Sequence, residues 1–159
     1  MALAKVGLTH IDAMGAARMV DVSSKGVGAR VAAASGRVRV SPAVVALLRG
    51  GGGPKGDALA VARIAGIVAA KRTSDLIPLC HPLAVSGVEV KLLVEDDGVV
   101  IQATVRTVDR TGVEMEALTA VSVAALALVD MIKAVDRCSM ITDVHVDSKS
   151  GGTSGDWSR

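Results

Sequence analysis

The stretch GVEVKLLVEDDGVVIQATVRTVD, residues 87–109, alternates apolar and polar side chains on either side of an acidic turn. Val88, Val90, Leu92 and Val94 recur at every second position with Glu89 and Lys91 between them, the period of a half-buried strand. EDDG supplies the turn, and residues 99–108 return with Ile101, Ala103 and Val105 on one face. The stretch therefore reads as an antiparallel hairpin with one side facing a core.

Other elements are legible on both sides of it. Residues 37–40, with 32–34 before them, read as an earlier strand. In SPAVVALLRGGGGPKGD, Ser41 suits a helix N-cap, Pro42 the first helical position and Gly50 the stop. A glycine loop carrying Lys55 follows, and a second helix is predicted over 57–72. Its Val61, Ile64, Ala65 and Val68 share a face, with Lys71 and Arg72 at its C-terminus. After the hairpin, a helix is predicted over 117–136 and a last strand over 143–147, before a glycine-rich tail. Strand, helix, helix, strand, strand, helix, strand is the order of an α+β ferredoxin-like sandwich, an antiparallel sheet with helices packed on one face, plus one extra helix. Residues 1–25 show little periodicity and read as an N-terminal arm, leaving 26–159 as a single domain.

Composition narrows the function classes. Half of the 159 residues are hydrophobic, yet Phe and Tyr are absent and Trp157 is the single aromatic, so Val, Ala, Leu, Ile and Met must build the core. Such an apolar surplus in a small chain points to burial between subunits and hence to a homo-oligomer. A net charge of +2 and one aromatic residue give no footprint for nucleic acid. The longest uncharged run in the helical part, residues 117–129, is shorter than the roughly 20 residues that span a bilayer. Cys80 and Cys138 lie far apart without CxxC spacing, which fits a reduced, cytoplasmic setting.

Three constellations could carry chemistry. In KRTSDLIPLCHPL, residues 71–83, Cys80 beside His81 allows a thiol nucleophile, a metal site, ordinary packing, or a histidine that donates to a ligand in a bend held by Pro78 and Pro82. Zinc would want at least three ligands, and no nearby spacing supplies them, so no metal is assigned. In the third helix, Asp130 and Lys133 are three positions apart and share a face. They are either a surface ion pair or, if covered, a proton donor and acceptor. In RTGVEMEAL, Thr111 and Glu114 fit a capping box; an extended backbone would instead turn Glu114 and Glu116 the same way, paired acceptors for a guanine-type edge. The cations Lys55, Lys71, Lys133 and Lys149 are consistent with an anionic ligand, although GGGGPKGD lacks the phosphate-loop spacing.

Four blocks, LTHIDAMGAARMVDVSSK, KGDALAVARIAGIVAAKRTSDLIPLCHPL, TGVEMEALTAVSVAALALVDMIKAV and KSGG, closely resemble the cyclic pyranopterin monophosphate synthase family, also called molybdenum cofactor biosynthesis protein C. The resemblance runs from Leu8 to about Asp156. It implies a lyase that converts (8S)-3',8-cyclo-7,8-dihydroguanosine 5'-triphosphate to cyclic pyranopterin monophosphate and diphosphate in molybdenum cofactor biosynthesis. It also implies a hexamer built as a trimer of dimers, with active sites between subunits. Carried over by position, Asp130, Lys133 and Lys55 match catalytic residues, while Leu79, Cys80, His81, Met115 and Glu116 match substrate-contacting segments. Glu114, Lys71 and Lys149 lie in family motifs and are counted with the substrate contacts. The reaction so implied has no redox step and needs no resident cofactor, and the sequence leaves open whether Mg²⁺ accompanies the triphosphate.

Overall fold

The computed structural model describes residues 7–51 and 57–159. Lys55 and most of the glycine loop therefore lie outside the described residues. The elements are β1 Gly28–Arg39, α1 Pro42–Arg49, α2 Ala58–Ala70, α3 Thr73–Leu76, β2 Val85–Glu95, β3 Gly98–Asp109, α4 Glu114–Ile132, β4 Met140–Ser150 and β5 Trp157–Ser158. The sheet runs β2-β3-β1-β4-β5 with every neighbouring pair antiparallel. Its first four strands have the ferredoxin-like order, with β2 and β3 joined by the acidic turn as the alternation required.

Arg30, Ala32, Ala34, Gly36 and Val38 alternate on the covered face of β1, and Val99, Ile101, Ala103 and Val105 continue that face on β3. Helix α4 lies across them with Ala117, Ala120, Val121, Ala124 and Leu128 fully buried. A core without large aromatics closes by bringing backbones together. At the crossing of α2 and α4, a Cβ on Gly66 would sit 2.8 Å from the Ala120 carbonyl oxygen, so only glycine permits this approach. The opposite face of the sheet is polar, and there Ser35 donates to Asp147 at 2.9 Å.

Several boundaries depart from the sequence reading for local reasons. Strand β1 begins at Gly28, and the final strand extends from Met140 to Ser150. The short α3 was not anticipated; it closes because the Thr73 hydroxyl donates to the carbonyls of Ala69 and Ala70. Helix α4 covers Glu114–Ile132 rather than 117–136. It stops early because the Asp136 carboxylate accepts the backbone N–H groups of Cys138 and Ser41, a local turn that competes with the helix. It starts early without the expected capping box: Val113 is the N-cap, no side chain caps it, and two acidic residues occupy the first turn. The extended alternative for Glu114 and Glu116 does not form, and two residues apart on a helix their side chains diverge.

Two apolar faces are turned outward. Val61, Ile64, Ala65 and Val68 share a side of α2 as expected, but the core side is Ala58, Ala62, Gly66, Ala69 and Ala70, and Ile64 is 62 % exposed. Helix α4 is buried on one side only, with Leu126 59 % exposed.

Candidate active site

A cavity of about 340 Å³ opens at the N-terminal end of α4. It is lined by Leu79, Cys80 and His81 from the segment after α3, by Glu114, Met115 and Glu116 from the first turn of α4, and by Thr9 to Lys25 positions of the N-terminal arm. Pro78 and Pro82 bend the first segment, while helix geometry aims the second. Two blocks far apart in sequence thus meet at one concave surface, of the size that small-molecule sites use.

Glu116 is 4 % exposed. Burial pushes its carboxyl up from the ordinary 4.5; its own backbone N–H pulls the other way, and the Glu114 charge adds to the rise. Burial likewise pushes the Cys80 thiol up, with the Glu116 charge adding to it, which disfavours a thiolate nucleophile. His81 Nε2 lies 2.7 Å from the Val20 carbonyl. A carbonyl only accepts, so Nε2 carries the proton and Nδ1 is the atom left for a ligand. This bond ties the arm to the cavity wall. The arm itself folds on a bridge between Ile11 and Ala17, with the Asp12 carboxylate accepting the N–H groups of Met14 and Ala16.

Beside this cavity lies a smaller one of about 140 Å³ that shares Lys25, Thr111, Gly112 and Glu114 and adds Arg30, Arg110 and Lys149. Lys149 bonds the Ser154 hydroxyl at 2.6 Å and pairs with Glu114 at 3.2 Å. Arg110 reaches the Lys25 carbonyl at 2.5 Å, and Arg30 reaches the carbonyls of Gly26, Asp109 and Arg110. Gly151 and Gly152 have φ of +84° and +94°. Cβ atoms there would come within 2.2 Å of the Ala29 carbonyl oxygen and 2.0 Å of an Arg30 nitrogen, so the KSGG turn needs Gly151 to clear the Ala29 backbone and Gly152 to clear the Arg30 side chain. Four cations around a polar recess favour a multiply charged anion. Lys25, Arg30 and Arg110 were not singled out from sequence. The signal available was that Lys25 ends the family-like block LTHIDAMGAARMVDVSSK and that Arg110 immediately precedes the block opening TGVEME.

Asp130 and Lys133 lie elsewhere. They sit at the C-terminal end of α4, Lys133 Nζ to Asp130 Oδ1 at 2.5 Å, with side chains 61 % and 58 % exposed. Fifteen residues of helix separate Met115 from Asp130, about 22 Å along the axis. Lys71 caps the end of α2 and does not line the cavity. Among the described residues, no group of three or more His, Cys, Asp or Glu is placed to hold a metal. The chain thus gathers Leu79 to His81, Glu114 to Glu116 and Lys149 around the N-terminal end of α4 and leaves the Asp130–Lys133 pair at its other end.

Residues 19–152 match the MoaC family. A protein named cyclic pyranopterin monophosphate synthase from Streptomyces avermitilis is 74 % identical over 152 residues, covering 96 % of this chain and 89 % of that protein. A Nocardioides protein of the same name is 69 % identical over 155 residues, covering 96 % of this chain and 95 % of its own. Cyclic pyranopterin monophosphate synthase 2 of Mycobacterium tuberculosis is 61 % identical over 152 residues, covering 96 % of this chain and 91 % of that protein.

Proposed function

This chain belongs to the MoaC family, and on that premise we propose that it is a cyclic pyranopterin monophosphate synthase. It is an enzyme of lyase type that acts on (8S)-3',8-cyclo-7,8-dihydroguanosine 5'-triphosphate, yielding cyclic pyranopterin monophosphate and diphosphate in molybdenum cofactor biosynthesis. The observation that carries this reading is identity of 59–74 % with proteins of that name across nearly the whole chain.

The geometry divides the labour. The larger cavity takes the heterocycle between Leu79 and Met115, held by hydrogen bonds to Glu116, His81 Nδ1 and nearby backbone because no aromatic is at hand for stacking. The cationic recess of Lys25, Arg30, Arg110 and Lys149 offsets the triphosphate charge as diphosphate leaves. Asp130, Lys133 and Lys55 move protons among the ring heteroatoms, which requires both an acid and a base. Because the two halves are far apart in one chain, the working site draws on two subunits, in keeping with a hexamer arranged as a trimer of dimers. The enzyme carries no resident cofactor, nucleic acid and membrane play no part, and the setting is cytoplasmic.

Incubating the purified protein with the cyclised nucleotide and following diphosphate release tests the reading. Asp130→Asn, Lys133→Ala and Lys55→Ala should each lower turnover by about 100-fold or more while far-ultraviolet circular dichroism is unchanged. No diphosphate from the wild type would overturn the function, and full turnover in any of the three variants would overturn its proton-transfer role.

A further inference from the structure

The N-terminal arm brings a second imidazole to the larger cavity. His10 lines it together with His81 and the buried Glu116. Backbone bonds hold it there. The Arg18 N–H donates to the His10 carbonyl at 2.8 Å and the Asp12 N–H to the Ala16 carbonyl at 2.9 Å, with Ile11 and Ala17 bridged between them. Residues 10–18 are thus a short antiparallel ladder, its turn closed by the Asp12 carboxylate and by Gly15 at φ +84°. Further along, the arm is fastened to both cavities. His81 donates to the Val20 carbonyl, and Arg110 donates to the carbonyls of Ser23 and Lys25. The ring of His10 is left exposed at the cavity's edge.

Its hydrogen bond decides which atom faces a ligand. His10 Nδ1 lies 3.3 Å from the Arg18 carbonyl, and a carbonyl only accepts, so Nδ1 carries the proton and the neutral ring keeps a lone pair at Nε2. His81 has the opposite tautomer, with Nδ1 left over. Arg18 and Val20 are two positions apart, so one short stretch of the arm orients both rings. A guanine-type ring needs such acceptors. Its N1–H and one N–H of its 2-amino group point the same way and fit the two oxygens of a single carboxyl, as at Glu116. The other amino N–H points away from that pair, and one carboxyl cannot reach it.

We infer that His10 is a specificity-determining residue whose Nε2 accepts the 2-amino N–H that Glu116 leaves unpaired. This rests on the reading above that a guanine-type ring fills the larger cavity, but it is read by binding and needs no turnover. Calorimetry compares GTP with inosine 5'-triphosphate, which lacks only the 2-amino group. His10→Asn keeps a donor near the Nδ1 position for the Arg18 carbonyl and has no atom at Nε2. It should weaken GTP about 3- to 10-fold and leave the inosine nucleotide within about twofold of wild type. His10→Gln, whose amide reaches the Nε2 position, should recover most of the GTP affinity. Equal losses for both nucleotides would mean that His10 only braces the arm and would overturn the inference. So would unchanged GTP affinity in His10→Asn, or a wild type that does not bind GTP. The chain's three histidines give a second readout by NMR: GTP should move the ring signals of His10 and His81 and leave His145, which lines neither cavity. A fixed His10 signal while that of His81 moves would also overturn it. A protein that discriminates as expected but releases no diphosphate from the cyclised nucleotide would overturn the proposed function alone.

Discussion

Exchanging Glu116 for Gln should change how the stability of this protein depends on pH. Glu116 is almost fully enclosed in the first turn of α4, and burial, reinforced by the Glu114 charge, holds its carboxyl above the ordinary 4.5. The folded chain therefore binds this proton more tightly than the unfolded chain. The stability it contributes is fully present below 4.5 and is lost as pH rises through the raised folded value. One group exchanges one proton, so the folding constant falls by at most about tenfold per pH unit inside that window and is flat beyond it. Gln keeps the shape of the neutral acid and cannot ionise, so the variant should lose this slope and gain on the wild type as pH rises. Urea denaturation of both proteins at equal concentration, from roughly pH 4 to pH 8, reads the difference directly. A gap that stays constant across that range would refute the burial of an ionisable Glu116 and, with it, the raised carboxyl at the cavity wall.

Leu128→Ala removes a fully buried side chain beneath the sheet and should cost about 2–5 kcal/mol in denaturant unfolding, with a loss well under 1 kcal/mol showing that α4 is not the core helix described. Gly66→Ala gains about 1 kcal/mol of helix propensity but presses a methyl against the backbone carbonyl of Ala120, which cannot rotate away, so the overpacking cost of about 1–3 kcal/mol should win and the Tm should fall. A higher Tm would mean the helices separate easily. Iodoacetamide at neutral pH should label the exposed Cys138 before Cys80, whose thiol is pushed up by burial and by Glu116; the reverse order by mass spectrometry would contradict that environment.

Local pattern carried much of this molecule. The alternation of Val88 to Val94 and of Ile101 to Val105 depends only on successive side chains pointing to opposite faces, so the hairpin was visible without any partner. The order of elements then limited the topology, and Pro42 and Asp57 marked helix starts because their effects act within one turn. The family-like blocks around His81 and Met115 likewise named residues that come to line one cavity. What these signals could not say was which apolar face is covered. Val61, Ile64 and Val68 have the same 3.6-residue repeat as a core stripe, yet α2 packs on α4 and β2 through the side that carries Ala62 and Gly66 instead. Periodicity reports that a face is apolar and is silent about what packs on it. The meeting of Lys25, Arg30, Arg110 and Lys149, and the bond from His81 to Val20, join positions scores of residues apart and exist only once β1, β3 and β4 are in register. So too the gulf between Met115 and Asp130: neighbours in motif, they are held at opposite ends of one rigid helix, and a helix cannot bring its own two ends together.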